Sequence, residues 1–394
     1  MIKRRLLLVT LFCTTIGYSQ NNKEIITNEL TALFKKSSLA GFAVAILNKD
    51  KVMYSKGFGF SSRENKTLFT TKTVQPIASI SKTFLAVALM KAQELGKLNL
   101  NDDINKHLPF KVYNPNFKSD VITIKQLANH TSSLKDGKHY DKTYVFDKKI
   151  PPFYNQFKGD LKSEIKEYVD LFNSNVKMSL EDFIRMQYKV GEEYYSNDNF
   201  LNAKPGTKYK YSNMGANIAA LIIERATGVK YKDFVKREIL EPLRMKNSGW
   251  PSKKSNLKNF SSLYWYGFLM PTSDLITYPD GNLMTNIDDF SVYFLTMIKG
   301  YFGEDNILSS NDYKVMMKNP SSDKFRKGIF WSVDNEKIGH SGSDIGVLTH
   351  AYFLKESGDG IVVFVNTSDT EKGALEVRDI YRVLIKHILN KSVK

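Results

Sequence analysis

Strand-forming residues gather at the two ends of this chain, with a long helical stretch between them. The runs 41–47 and 52–60, joined by the turn Asn48-Lys49-Asp50, carry the β-branched and aromatic residues of strands. The same signal returns only in 328–333, 347–355 and 360–366. Apolar residues at three- and four-residue spacing predict helices over 24–37, 80–95, 123–130, 180–190, 213–226, 231–239, 286–299, 310–318 and 374–390. Strands from both ends can share one antiparallel sheet only if the middle is an excursion from it. The expected fold class is therefore α+β, a sheet flanked by helices and built from both chain ends, with an inserted all-α region. Its expected parts are a sheet region over 20–80 and 325–394 and a helical region over 81–324, together one composite catalytic domain. An insertion at about 135–205 begins with a weakly periodic, Lys-, Asp- and aromatic-rich stretch (135–178), read as irregular and placed to cover a cleft.

The first nineteen residues stand apart. Lys3, Arg4 and Arg5 precede the apolar run 6–13, and Gly17 and Ser19 supply small residues at an exit. This reads as a secretory signal peptide covering 1–19, and the expected location after its removal is periplasmic or secreted. Phe12 before Cys13 argues against a lipid anchor. Losing Lys3, Arg4 and Arg5 lowers the formal charge from +16 to +13, and losing Cys13 removes the only thiol. The remaining lysines are spread among acidic residues, with no zinc-finger, RNA-binding or arginine-rich motif, so no nucleic-acid partner is expected. No later stretch is apolar enough for a membrane span. The six histidines show no metal-ligand spacing and there is no phosphate loop, so no metal or organic cofactor is expected.

Three short motifs carry the chemistry. Ser79-Ile80-Ser81-Lys82 puts a hydroxyl and an amine one helical turn apart. A serine hydroxyl is a weak nucleophile until a base takes its proton, and a lysine whose pKa is lowered by burial can be that base. The pattern occurs six times, beginning at Ser79, Ser132, Ser163, Ser174, Ser255 and Ser321. Only Lys82 opens a helix that is apolar almost all round, which predicts a neutral or hydrogen-bonded amine. Tyr-Ser-Asn occurs at 195–197 and 211–213. The second follows the turn Pro205-Gly206-Thr207 and opens an apolar helix, so Tyr211 is the better-placed proton relay and Asn213 the better-placed amide. In Gly339-His340-Ser341-Gly342-Ser343 a strand glycine admits a close approach, and an amide there could join that of Ser79 in a two-donor oxyanion hole. His107, His130, His139, His350 and His387 are expected to be structural or on the surface.

Ser-x-x-Lys, Tyr-Ser-Asn and His-x-Gly in this order, with the flanking stretches 124–134, 204–207 and 339–346, resemble the serine β-lactamase-related hydrolases. That family includes class C β-lactamases, D-alanyl-D-alanine carboxypeptidases, D-aminopeptidases and β-lactamase-like esterases. The resemblance implies the β-lactamase/transpeptidase-like fold. It implies Ser79 as acylated nucleophile, Lys82 as its base and Tyr211 as proton carrier. Asn213, His340, Gly342 and Ser343 would bind substrate, the amides of Ser79 and Ser343 holding the acyl oxygen. The family's third motif usually opens with Lys. His340 stands there instead, which favours esters, amides or D-amino peptides over carboxylate-anchored substrates. Ser133 stands where the family usually has Gly, a loop effect.

The expected function is thus an exported serine hydrolase that cleaves an ester, amide or β-lactam bond of a small-molecule or peptide substrate through an acyl-enzyme. A penicillin-binding-like sensor or envelope-binding module on the same fold is the alternative. A basic envelope binder with coincidental motifs is the third reading. Oligomeric state and the natural acyl group are open.

Overall fold

The computed structural model describes residues 21–251, 259–318, 328–368 and 371–389. The expected leader and the Ser-x-x-Lys copies at Ser255 and Ser321 lie outside the described residues. Seven strands form the main sheet: β1 (Gly41–Leu47), β2 (Val52–Ser62), β3 (Thr67–Leu68), β4 (Ser332–Val333), β5 (Lys337–Asp344), β6 (Val347–Leu354) and β7 (Gly360–Val365). The order across the sheet is β4-β5-β6-β7-β1-β2-β3, and every neighbouring pair is antiparallel. The two ends of the chain meet at β1 and β7, in a register running from Phe42 opposite Val365 to Leu47 opposite Gly360.

Eleven helices are described: α1 (21–36), α2 (Ser81–Glu94), α3 (Ile124–Ala128), α4 (Gly159–Ser174), α5 (Leu180–Tyr188), α6 (Asn213–Thr227), α7 (Tyr231–Val235), α8 (Tyr278–Gly281), α9 (Ile287–Tyr301), α10 (Ser310–Met316) and α11 (Glu371–Leu389). β1 and β7 are buried along their whole length because helices cover both faces of the sheet. Alternate residues therefore enter different cores. Phe42, Val44, Ile46, Val363 and Val365 meet Ile26 and Leu30 of α1 and Ile380 and Leu384 of α11. Ala43, Ala45, Val362 and Phe364 face the larger core, with Phe84 of α2 and Phe290 and Phe294 of α9. This is why both strands read as unbroken apolar runs rather than as alternation.

The expectation of an irregular 135–178 stretch is corrected. Its second half is the sixteen-residue helix α4, which buries Ile165, Val169 and Phe172. These meet Ile150, Phe153 and Met270 and the half-buried Trp265 and Phe268 in a small aromatic core of their own. Three apolar positions among many charged ones gave too weak a period to read. Residues 144–146 pair with 273–275, and 263–265 with 268–270. These short strands took their place from packing rather than from a sequence run. At the other end, only 332–333 of the expected 328–333 strand pairs, and the third motif lies on β5.

The joint between the two ends makes a stability prediction. Phe42 is fully buried, stacks on Phe58 at 4.9 Å and meets the edge of Phe34 at 6.0 Å. Phe42→Ala should cost about 3–5 kcal/mol in urea unfolding, since both cavity and contacts are lost.

Candidate active site

Ser79 lies in a single 3-10 turn, Ala78–Ile80, that leads directly into α2. The turn is held from three sides. Ile77 N–H donates to the Leu283 carbonyl (3.0 Å), the Thr349 hydroxyl donates to the Ile77 carbonyl (2.9 Å), and Leu283 N–H donates to Ser81 Oγ (3.1 Å). Ala78 has φ +47°, a left-handed conformation that an alanine adopts only when its surroundings impose it. Ser79 is half-exposed while Ile77, Ala78 and Ile80 are buried.

Lys82 is wholly buried in the first turn of α2, whose residues from Ser81 to Met90 are buried without a break. Its amine donates to Ser79 Oγ at 3.2 Å and to the Asp280 backbone carbonyl at 2.6 Å. It also lies 5.3 Å from the centre of the Tyr211 ring. Burial alone would lower the amine's pKa. Tyr211 and the Asp280 and Asp136 carboxyls outweigh it and hold the pKa above the ordinary lysine value. The amine is hydrogen-bonded, as the sequence suggested, but the expected downward shift is corrected by acidic neighbours that sequence could not place there.

Tyr211 precedes α6, and its buried hydroxyl belongs to the groups that hold the Lys82 charge. Its ring lies between His130, at 4.4 Å between centroids, and His340, at 6.3 Å. His130 was not expected at the site. It forms the back wall of Tyr211, and its Nδ1 accepts the Ser212 N–H at 3.2 Å. The other Tyr-Ser-Asn copy is not here: Tyr195 bonds Asn197 and packs near Phe200. Among the other Ser-x-x-Lys copies, Lys166 and Lys177 are exposed and pair with Asp170 and Asp274.

The third motif reaches Ser79 from β5. A Cβ on Gly342 would sit 2.8 Å from Ala78 Cβ and from the Ile77 carbonyl, and 2.5 Å from Thr349 Oγ1. Only glycine lets β5 lie so close to the nucleophile turn, which brings Ser343 alongside it. His340 is buried, with Nδ1 2.6 Å from the Ser341 carbonyl oxygen. Ser133 has φ +65°, which explains why a glycine suits that place, and its hydroxyl accepts from Asn114 at 2.9 Å.

Two carboxyls that sequence reasoning did not single out complete the site. Asp280 Oδ2 accepts from Tyr140 Oη (2.9 Å) and from Asn217 Nδ2 (2.5 Å). Burial pushes its pKa up to about 6 against the pull of Lys82. Asp136 accepts from Ser212 Oγ (2.9 Å), Met214 N (2.9 Å) and Asn213 Nδ2 (3.1 Å), and burial raises its pKa as well. Tyr144 likewise donates to Asp344 at 2.8 Å, beside Ser343. The start of the insertion is thus tied to both flanks of the cleft. Cavities of about 480 and 630 Å³ open around Trp250 and Pro251, but neither is lined by Ser79 or Lys82. Reactive groups rather than depth mark the site. No group of three or more metal-ligating side chains occurs among the described residues.

A family model described as Beta-lactamase matches residues 26–384. The protein Flp of Staphylococcus aureus is 26% identical over 345 residues, covering 84% of this chain and 60% of Flp. The mitochondrial serine beta-lactamase-like protein LACTB of Mus musculus is 27% identical over 310 residues, covering 66% of this chain and 54% of that protein. The chain therefore spans little more than half the length of these relatives. The octameric penicillin-binding protein homologue from Pyrococcus abyssi superposes with a TM-score of 0.67 at 24% identity, covering 89% of this chain and 73% of that one. These neighbours share the β-lactamase/transpeptidase-like α+β fold.

Two predictions test the geometry. Gly342→Ala should lower the reactivity of the Ser79 hydroxyl toward p-nitrophenyl acetate at least about tenfold, because its Cβ forces β5 off the Ala78–Ile80 turn; stopped-flow release of p-nitrophenol measures it. Asp280 titrates near 6 when folded against an ordinary 3.8, so the stability this carboxyl adds is complete below about 3.8 and lost as pH rises through about 6. Asp280→Asn should therefore gain stability relative to the parent between pH 4 and pH 8, by up to about 3 kcal/mol. Urea unfolding at the two pH values gives the difference.

Proposed function

The chain belongs to the beta-lactamase family, and from that premise we propose that it is a serine hydrolase working through an acyl-enzyme on Ser79, with an ester, amide or β-lactam as substrate. The observation that carries this reading is the 3.2 Å hydrogen bond between the buried Lys82 amine and Ser79 Oγ, with the Tyr211 ring 5.3 Å from the same amine.

The chemistry follows from proton positions. The resting amine is held as ammonium, so it must release a proton before it can serve as base. The Tyr211 hydroxyl, buried next to the amine, is the group that relays that proton to solvent water. Ser79 Oγ then gives its proton to Lys82 and bonds to the acyl carbon. The leaving group departs with a proton relayed by Tyr211, and water, deprotonated by the same pair, later breaks the acyl–Oγ bond. The N–H groups of Ser79 and Ser343 face the acyl oxygen, and the N-terminus of α2 favours the negative charge that develops there. Asn213 and His340 contact the substrate. His340 in place of a lysine supports esters, amides or D-amino peptides over substrates anchored by a carboxylate. Export after removal of residues 1–19 belongs to the same proposal.

p-Nitrophenyl acetate turnover by the parent, Ser79→Ala and Lys82→Ala proteins tests it. The expected result is a loss of at least about a thousandfold in both variants, with the parent rate rising from pH 6 to pH 9 as neutral amine becomes available. Full activity in Ser79→Ala would remove the nucleophile from the proposal. No turnover by the parent, together with a lasting adduct on Ser79, would favour the sensor reading.

A further inference from the structure

We propose that Asp136 is a positioning residue that fixes which end of the Asn213 amide faces the substrate; this rests on the acyl-enzyme reading above. One carboxylate takes three hydrogen bonds from three consecutive residues of a single turn. Oδ1 accepts from Ser212 Oγ and Met214 N, each at 2.9 Å, and Oδ2 accepts from Asn213 Nδ2 at 3.1 Å. The Oδ1 contacts do the work of a helix cap. Met214 N is one of the free donors at the N-terminus of α6, while Ser212 Oγ also accepts from Gly215 N at 3.0 Å. The Oδ2 contact does something else. A carboxylate only accepts, so it can meet the amide's nitrogen and never its oxygen.

That choice matters because an amide has two faces of opposite polarity. With one N–H of Asn213 held by Asp136, the carbonyl end points away from Asp136, and the second N–H stays on the nitrogen side for a substrate carbonyl. The backbone of Asn213 is fixed from the opposite side. Its carbonyl accepts from Asn217 Nδ2 at 2.9 Å, and the same Nδ2 donates to Asp280 Oδ2. With the backbone fixed, rotation of the amide is the freedom that Asp136 removes. Burial raises the pKa of Asp136, while the Met214 and Ser212 donors and the Lys82 charge favour the ionised, purely accepting form. The groups with charge or protons near it are Lys82 from α2, Tyr188 from α5 and Asp280 from α8, with Asp141 and Tyr140 from its own segment.

Asp136→Asn separates the two jobs. Its carbonyl can still accept from Ser212 and Met214, but its NH2 group meets that of Asn213 and turns one amide over. The expected result is a roughly ten- to hundredfold fall in kcat/KM for the p-nitrophenyl ester of an N-acetyl amino acid, which carries an amide carbonyl beside the acyl one, with little change in Tm. The deciding measurement is the double-mutant cycle with Asn213→Ala. A residue that acts by orienting the Asn213 amide has almost nothing left to do once that amide is gone. Asp136→Asn should then cost less than about twofold in the Asn213→Ala background. A cost equal in both backgrounds, or no cost in the parent, overturns the proposal and leaves Asp136 as a helix cap. Where Asp136→Asn does not fold, Asp136→Ala enters the same cycle, since Ser212 Oγ still caps Gly215 N without it. Ser79→Ala is run alongside. Undiminished activity there means the acyl-enzyme reading has failed and the positioning role with it, whereas inactive Ser79→Ala with an additive cycle means that only the positioning role has failed.

Discussion

The buried amine of Lys82 is the constraint around which the rest of the site is arranged. Helix α2 is covered on every side, so this lysine has no path by which to reach water with its charge. An ammonium in such surroundings costs several kcal/mol unless acceptors and opposite charges surround it. The Ser79 hydroxyl, the Asp280 carbonyl and the carboxyls of Asp280 and Asp136 supply them. Asp280 is buried and Asp136 half-buried, and each needs its own donors, which Tyr140, Asn217, Ser212, Met214 and Asn213 provide. One unfavourable burial thus recruits groups from α2, α6, α8 and the 135–144 segment into a single network. That network also holds the Ser79 hydroxyl, the Tyr211 phenol and the Asn213 amide at one place.

The fold lets distant pieces of sequence meet there. Pairing of β1 with β7 joins the two halves of the sheet, and the helical middle packs α6 against α2 and α8 against the Ala78–Ile80 turn. Ser79 comes from the end of the N-terminal sheet half, Tyr211 from the middle of the chain and His340 from β5. The close pass of β5 over the Ala78–Ile80 turn depends on the absence of a side chain at Gly342. The 135–178 segment has its own small core and reaches the site through two tyrosine–carboxyl bonds and through Asp136, so its fold and its place beside the cleft are fixed by different groups.

What could be read in advance divides along physical lines. The sheet from both ends was legible because β1 and β7 are buried on both faces and so appear as apolar runs. Lys82 was legible because a charge in a wholly apolar helix is an anomaly visible without coordinates. Tyr211 stood out from Tyr195 because a turn and an apolar helix fix it. Asp136 and Asp280 were not legible: each sits in a turn or loop stretch where an acidic residue is ordinary, and only the fold brings it to Lys82. The upward shift of Lys82 was missed for the same reason, since its sign depends on those carboxyls. His130 looked structural and is, but its place against Tyr211 came from packing. Helix α4 was missed because its three buried positions are diluted by charge.

The pairing of Ser79 with Lys82 is tested most directly by finding where an acyl group lands. The protein is exposed briefly to p-nitrophenyl acetate, quenched in acid and digested, and its peptides are mapped by mass spectrometry. One acetyl group on the peptide carrying Ser79, absent when Lys82 is replaced by Ala, is the predicted result. Turnover with Ser79 left unmodified, or acetyl groups scattered over surface lysines alone, would contradict it.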